Sequence, residues 1–163
     1  MRTAFLVVAL ALAGCGFQLR GSANVPFNTL YIPNAKIGIA LDLKRNIEAG
    51  TQAKVVDDPK NADAILELTS EAKEKIILSL TGAGRVREFR LRYTVNYRVH
   101  DGKGGEYVPK SVVALSRDVT YNDAEILAKE AEEQLLFRDM QSDMVQQVLR
   151  RLASAERPKP AVK

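Results

Sequence analysis

Apolar and polar residues alternate almost without interruption from Arg85 to His100, and this pattern restricts the fold more than any other feature. Odd positions from Phe89 to Val99 are apolar, and even positions from Glu88 to Arg98 are polar or charged. Because successive side chains of a strand point to opposite faces, the segment is predicted as a strand with one buried and one wet face. The chain must therefore build a sheet that is covered on one side.

Two further segments of the same kind flank this strand. Apolar residues occupy most even positions from Ala64 to Thr81, and a third, weaker strand is predicted from Tyr107 to Tyr121, where Pro109 interrupts the pattern. Gly82-Ala83-Gly84 and the glycine-rich stretch 101–105 supply the turns between them. The three segments predict an antiparallel meander.

Helical patterns stand before and after the meander. A short strand over Thr29–Ile32 precedes an amphipathic helix over Lys36–Ala49, which Gly50 is placed to end, and Ala53–Val56 is a short segment that could be extended. The region from Asn122 to about Ala155 contains no Gly or Pro and many strong helix formers, which predicts a long helix.

In that long helix Asn122 and Glu125 have the spacing of a cap and its reciprocal partner. Its apolar stripe, predicted to cover the sheet, comprises Leu127, Ala131, Leu135, Val145, Leu149 and Leu152.

The element order predicts an α+β fold, a two-layer sandwich. A mixed four-stranded sheet, made of one right-handed strand-helix-strand crossover plus the meander, is packed on one face by two helices. Its length suits a single domain, which we place at residues 28–155, followed by a disordered tail at 156–163 that holds two prolines among charges.

The N-terminus carries an apolar run from Ala4 to Ala13 behind Arg2, too short to span a bilayer but suited to an export signal. Leu12-Ala13-Gly14-Cys15 resembles the bacterial lipoprotein signal, which implies cleavage after residue 14 and a covalent lipid on Cys15. The alternative is an ordinary signal followed by a chance cysteine, which would leave an unpaired thiol in an oxidising compartment. Residues 15–27 are then a lipidated leader, and Gly16, where an aspartate commonly causes inner-membrane retention, implies the outer membrane.

Catalytic chemistry is poorly represented. His100 is the only histidine and Cys15 the only cysteine, so no zinc site or Cys-His pair can be assembled, and we expect His100 to face solvent. There is also no Gly-x-Ser-x-Gly elbow and no phosphate-binding loop. We therefore expect no enzyme, no catalytic residue, no metal and no cofactor beyond the lipid.

Cations concentrate on the central strand, in a chain of net charge +4. Arg90, Arg92 and Arg98 share its even face, and Arg85 and Arg87 lie at its start. Such a row could meet phosphates or carboxylates, or it could be a solvated face whose arginines pair with carboxylates of the neighbouring strand. Nucleic acid is not expected outside the cytoplasm.

Three motifs together resemble the LptE (RlpB) family of LPS-assembly lipoproteins. They are Cys15-Gly16-Phe17-Gln18-Leu19-Arg20-Gly21, Glu88-Phe89-Arg90-Leu91-Arg92-Tyr93-Thr94-Val95, and Ala128-Lys129 on a long helix that ends near Arg151-Leu152. The resemblance implies an outer-membrane, lipid-anchored protein that forms a one-to-one complex with the LPS-transport β-barrel LptD. Its domain would sit as a plug in the barrel lumen facing the periplasm, support barrel assembly and bind LPS.

By position in the family, Lys129 matches the helix residue associated with LPS contact. The hairpin Gly82-Ala83-Gly84 lacks the family's basic residue, so the nearest cations take its place. The LPS-binding candidates are Arg85, Arg87, Arg90, Arg92 and Lys129. A structural or pilot lipoprotein of another envelope complex, with no LPS ligand, remains the alternative.

Overall fold

A computed structural model describes residues 23–158. The strands are β1 (Thr29–Tyr31), β2 (Lys54–Val56), β3 (Ala64–Leu80), β4 (Val86–His100) and β5 (Glu106–Thr120). The helices are α1 (Gly38–Gly50), between β1 and β2, and α2 (Ile126–Ala153), after β5. Short 3₁₀ turns occupy Pro59–Asn61 and Asp123–Glu125.

The sheet is mixed and open, with the strand order β2-β1-β3-β4-β5. It has five strands in the described part of the chain, so the predicted four-stranded sheet is wrong in its count. The additional strand is β2, which pairs with β1 in parallel from Thr29↔Lys54 to Tyr31↔Val56. A strand of three residues is too short to show a period of its own, and only the parallel pairing to β1 identifies it. The α+β class and the two-helix, mixed-sheet architecture are confirmed.

A bulge in β3 changes which of its residues face the helices. Leu68 pairs with Tyr97, but the next pair is Ser70 with Asn96, so Thr69 is an extra residue on β3. Because one inserted residue shifts the two-residue period, the odd positions of β3 from Glu71 to Ile77 share the face of buried β4 residues. The prediction that even positions face the core along all of β3 is therefore wrong after Thr69.

The helices pack on one face of the sheet, and the core lies between the layers. Fully buried residues from α1 and α2 meet the odd positions of β4 there. They include Tyr93, Tyr97, Leu43, Ile47, Met140, Met144 and Leu152. No helix in residues 23–158 is long and apolar enough to cross a membrane.

The apolar stripe predicted on α2 is buried only in part. Val145 and Leu152 belong to the core and Leu149 packs against it, but Leu127 and Leu135 are 81% and 54% exposed. The predicted cap also differs. The Asn122 side chain accepts a hydrogen bond from the Ala124 amide at 3.2 Å, within a 3₁₀ turn that precedes α2.

The ordered domain begins before residue 28, where the predicted leader ends. Val25 and Phe27 are 5% and 2% exposed and belong to the core. At the other end, Arg157 Nε donates to the Pro26 carbonyl at 2.9 Å, so the described start of the predicted tail contacts the domain. The predicted signal peptide, the lipidated Cys15 and residues 159–163 lie outside the described residues.

Candidate functional site

The even positions of β4 line the sheet face that carries no helix. Arg90 is directly opposite Asp118 of β5, and its Nε and Nη2 donate to the two carboxylate oxygens at 2.7 and 2.8 Å. Arg98 Nε donates to Glu67 Oε2 of β3 at 2.6 Å. Much of this face is therefore satisfied by cross-strand pairs, as the solvated-face interpretation predicts.

Those ion pairs stabilise the charged form of each carboxylate. The hydrogen bond from Arg98 lowers the pKa of Glu67 below its ordinary value. The hydrogen bond from Arg90 does the same to the pKa of Asp118. Both pairs lie near the surface, where solvent screens their interaction energy.

Arg92 differs from its neighbours on this face. It lies two residues along from Arg90, opposite Glu74 of β3 and Ser116 of β5, and its side chain is exposed. It makes no ion pair with any residue between 23 and 158. Among the candidates on the helix-free face, Arg92 is therefore the cation available to an external anion.

Arg85 and Arg87 flank the start of β4 at the hairpin. Gly84 adopts a left-handed conformation with φ of 75°, which closes the turn, and the Arg85 amide donates to Thr81 Oγ1 at 3.1 Å. Arg87 lies in a register shift between β3 and β4, and its carbonyl accepts from the Tyr121 amide at 2.8 Å. Both arginines are exposed at the end of the sheet where α2 begins.

Lys129 lies on the opposite side of the sheet from Arg90 and Arg92. Its Nζ is 2.8 Å from Glu132 Oε2 and 3.5 Å from Thr120 Oγ1, and its side chain is only 20% exposed. It lines a cavity of about 50 Å³ under α2. The expectation that Lys129 is freely exposed is wrong, because α2 turns this residue toward β5.

The five LPS-binding candidates consequently do not form one cluster. The hairpin holds Arg85 and Arg87, the helix-free face holds Arg90 and Arg92, and the sheet separates these from Lys129. All five lie in the half of the molecule away from α1, so what they share is an end of the sheet rather than a pocket.

A polar cluster on the helix-covered face was not predicted from the sequence. The Tyr93 hydroxyl donates to Glu71 Oε1 at 2.6 Å, and Gln141 of α2 donates to Asp42 of α1 at 2.6 Å. Lys75 Nζ is 2.5 Å from Glu133 Oε2. Burial raises the pKa of Tyr93 well above its ordinary value and Glu71 adds to this, so the hydroxyl stays protonated and remains a donor. Only knowledge of the Thr69 bulge could have placed Glu71 and Lys75 on this face.

The opposite end of the molecule has the more open clefts. One, of about 400 Å³, is lined by Pro26, Asp63, Tyr107 and Arg157 among others, and none of the five cation candidates lines it. His100 is also at this end. Its side chain is 20% exposed and its Nε2 lies 3.6 Å from Glu67 Oε2, so it is more buried than expected. No group of three His, Cys, Asp or Glu residues within 23–158 is placed to hold a metal.

The architecture matches small bacterial lipoproteins of known structure. One is the solution NMR structure of an uncharacterized lipoprotein B from Nitrosomonas europaea, with 44% identity and a TM-score of 0.71, covering 83% of this chain and 88% of that one. Another is the crystal structure of the rare lipoprotein B from Shewanella oneidensis, with 25% identity and a TM-score of 0.67, covering 78% of this chain and 95% of that one. This chain thus has the α+β fold of this class of small bacterial lipoproteins.

The sequence comparisons identify the family. The LptE family, described as lipopolysaccharide-assembly, matches residues 25–152. A relative named LPS-assembly lipoprotein LptE, from Pectobacterium atrosepticum, is 29% identical over 154 residues, which cover 90% of this chain and 83% of that protein. The chain belongs to the LptE family of LPS-assembly lipoproteins, as its motifs predict.

Proposed function

We propose that this protein is a lipid-anchored outer-membrane component that plugs and supports assembly of the LPS-transport β-barrel LptD, and that it binds LPS during delivery to the cell surface. In this role it catalyses no reaction. The domain acts by occupying the barrel lumen from the periplasmic side and by presenting fixed groups to the partner and to LPS.

Membership of the family over nearly the whole described domain is the observation on which the proposal rests. The sheet supplies physical support. Two cross-strand ion pairs fix charged side chains on the helix-free face. They are Arg98–Glu67 and Arg90–Asp118. A face with pre-ordered ion pairs suits a plug in a water-filled barrel, because it can pair with lumenal side chains without first losing conformational freedom.

Co-purification tests the barrel half of the proposal. The full-length lipidated protein, extracted in mild detergent with an affinity tag at its C-terminus, should recover LptD in a one-to-one ratio. Recovery of another envelope complex, or of no barrel, would contradict the proposal.

The LPS half rests on Arg92, which is exposed and has no internal partner within residues 23–158. Since guanidinium groups bind phosphate through several hydrogen bonds, Arg92→Glu should lower LPS affinity by about tenfold or more, and added salt should weaken the wild-type binding. Arg150→Glu, at an exposed arginine in the last turn of α2, is the matched control and should bind LPS normally. Equal affinity in the two variants would remove Arg92 from the LPS site.

The alternative, a structural or pilot lipoprotein without an LPS ligand, is favoured by a specific observation. Arg90 is held by Asp118 and Lys129 by Glu132, so two of the five candidate cations are already neutralised. If neither Arg92→Glu nor Arg87→Glu changed LPS binding while LptD still co-purified, the structural role alone would remain.

A further inference from the structure

One apolar stripe runs along α2, and only its C-terminal half is covered. Leu127 precedes Val145, and Ala131 precedes Leu149, by about five helical turns, so each pair lies on the same side of the helix. Val145 is 1% exposed and Leu149 packs on the core, whereas Leu127 is 81% exposed and Ala131 is also exposed. The same side of α2 is thus buried at one end and open at the other.

The cause is the difference in length between the two helices. Gln141 and Gln146 of α2 donate to Asp42 and Asn46 of α1 at 2.6 and 3.4 Å, so the helices run side by side in the same direction. At 1.5 Å per residue, α1 is about 20 Å long and α2 about 42 Å. Because α1 begins at Gly38, just before these contacts, it leaves the first turns of α2 without a neighbouring helix.

The sheet layer on this side of β3 is also short. On the edge of β3 opposite β4, β1 pairs only with Ala64 and Ile65, and no strand within residues 23–158 pairs with the rest of that edge. Ile77 of β3 pairs with Phe89 on the helix-covered face and is 54% exposed. At the start of α1, Ile37 is 80% exposed.

These features enclose one open quadrant of the sandwich. It is bounded by the flank of α2, the free edge of β3 and the start of α1, and its apolar residues are Ile37, Ile77, Leu127, Ala131 and Leu135. An exposed apolar area of this kind, next to unpaired strand backbone, marks an interaction site.

The charges at the quadrant indicate what its occupant carries. Lys73, on the helix-covered face of β3, has no carboxylate partner in residues 23–158, since its Nζ contacts the Gln141 side chain at 3.4 Å and the Tyr93 ring at 4.7 Å. Arg138, one turn after Leu135, makes no ion pair within the same residues. Two cations without internal partners favour an occupant with carboxylates.

We propose that the open quadrant is the docking groove for an extended segment of a protein partner, apolar on one face and carrying at least one carboxylate. This rests on the proposed function, which makes the partner the LPS-transport barrel. The segment pairs its backbone with the free edge of β3 and places alternate side chains against Leu127 and Leu135.

An extended segment fits the groove better than a helix does. The N–H and C=O groups along the free edge of β3 need partners once water is excluded, and a helix has no backbone groups to offer them. A strand satisfies the edge and covers the flank of α2 together. The added strand would pair with the edge of β3 beyond Ile65, where its pairing with β1 ends.

Crosslinking in the intact complex tests this assignment. The full lipidated chain, with a photoreactive residue at Leu135, is co-expressed with LptD, irradiated and analysed by mass spectrometry. The expected result is attachment to one contiguous LptD segment, at residues two apart. Attachment to scattered residues of several barrel strands, to a second copy of this chain or to lipid would overturn the proposal.

A pair of substitutions tests whether LptD binds at this groove or elsewhere on the protein. Leu135→Glu places a carboxylate in the groove and should lower recovery of LptD by about tenfold, as loss of a central contact does. Ala153→Glu, on the same side of α2 about five turns later and also exposed, is the control and should recover LptD fully. Normal recovery by Leu135→Glu would overturn the groove. Failure of the unsubstituted chain to recover LptD would overturn the proposed function instead.

Both variants should fold, because the two positions are exposed. Urea unfolding of each purified variant, compared with the unsubstituted protein, establishes this before the complexes are compared. If Leu135→Glu proved unstable, Leu127→Glu, at a position 81% exposed, would repeat the test.

Discussion

At the scale of single residues, the charged side chains of the helix-free face are engaged mainly with one another. The polar character of β4 was visible in the sequence, and the Arg98–Glu67 pair is of the kind expected between neighbouring strands. The sequence could not show that Arg90 pairs with β5 rather than β3, because that choice depends on register. As a result Arg92, which lies between the ion-paired Arg90 and Arg98, is the arginine of this face best placed to bind an external anion.

These ion pairs predict how stability depends on pH. The pKa of Glu67 and that of Asp118 are lowered from ordinary values of 4.5 and 3.8. A carboxylate with a lowered folded-state pKa stabilises the protein above its ordinary pKa, and this contribution is lost as the pH falls through the lowered value. The urea midpoint should therefore change little from these two groups between pH 7 and 5, and their contribution should fall below about pH 4.5.

Glu67→Gln combined with Asp118→Asn should make that acid-side decline shallower. Asp57→Asn, at a carboxylate that is fully exposed and 3.8 Å from Lys44, is the control and should follow the unsubstituted protein. The interpretation fails if the double variant and the unsubstituted protein lose stability in parallel as the pH falls.

At the scale of elements, the bulge at Thr69 determines which side chains of β3 meet α2. It directs Glu71 toward Tyr93 and Lys75 toward Glu133. A strict period of two would have sent both to the helix-free face.

Deletion of Thr69 tests this role. Without the extra residue, the distal half of β3 must either reverse its faces or slip against β4. Both outcomes break the contacts of Glu71 and Lys75, and we expect a loss of about 2 kcal/mol or more in the free energy of unfolding. Thr69→Ala keeps the residue count and should cost far less. Equal stability of the deletion variant and Thr69→Ala would show that the bulge is dispensable.

At the scale of the whole molecule, the sequence pattern was sufficient to predict the α+β architecture. It was not sufficient to predict the number of strands or how much of α2 is covered. The alternation in β4, the glycine turns and the uninterrupted helix pattern of α2 predict the meander and its covering layer. Residues 53–56 could be recognised as a segment that could be extended, but their place in the sheet as β2 follows from pairing with β1, and the open flank of α2 could not be predicted. Periodicity reports which residues share a side of a helix, and the length of α1 decides how much of that side is covered.

The candidate site was predictable only as a set of residues. The five cations were identifiable by type and position, but their separation by the sheet follows from the fold. Lys129 shows this most clearly, because a lysine on a charged helix surface gives no sign that α2 turns it toward Thr120.

The predicted lipid anchor can be tested on the complete protein. Replacing residues 1–15 with a cleavable export signal that lacks a lipoprotein cysteine should release the domain into the soluble periplasmic fraction. The unsubstituted protein should require detergent for extraction, since several acyl chains bind a bilayer stably. Retention of the altered protein in the membrane of a strain without LptD would contradict anchoring through Cys15.

The pairing of Ala23 with Thr51 fixes where the described chain begins relative to the hairpin between β3 and β4. The Ala23 amide also donates to the Gly50 carbonyl. This contact lies near the first residues of β3, at the end of that strand opposite the hairpin. Seventeen residues of β3 extend about 56 Å at 3.3 Å each, more than the thickness of a bilayer's hydrocarbon layer. The described chain therefore begins about one β3 length from the arginine-bearing hairpin, and the N-terminal anchor that we propose would leave that hairpin at the end of the domain remote from Ala23.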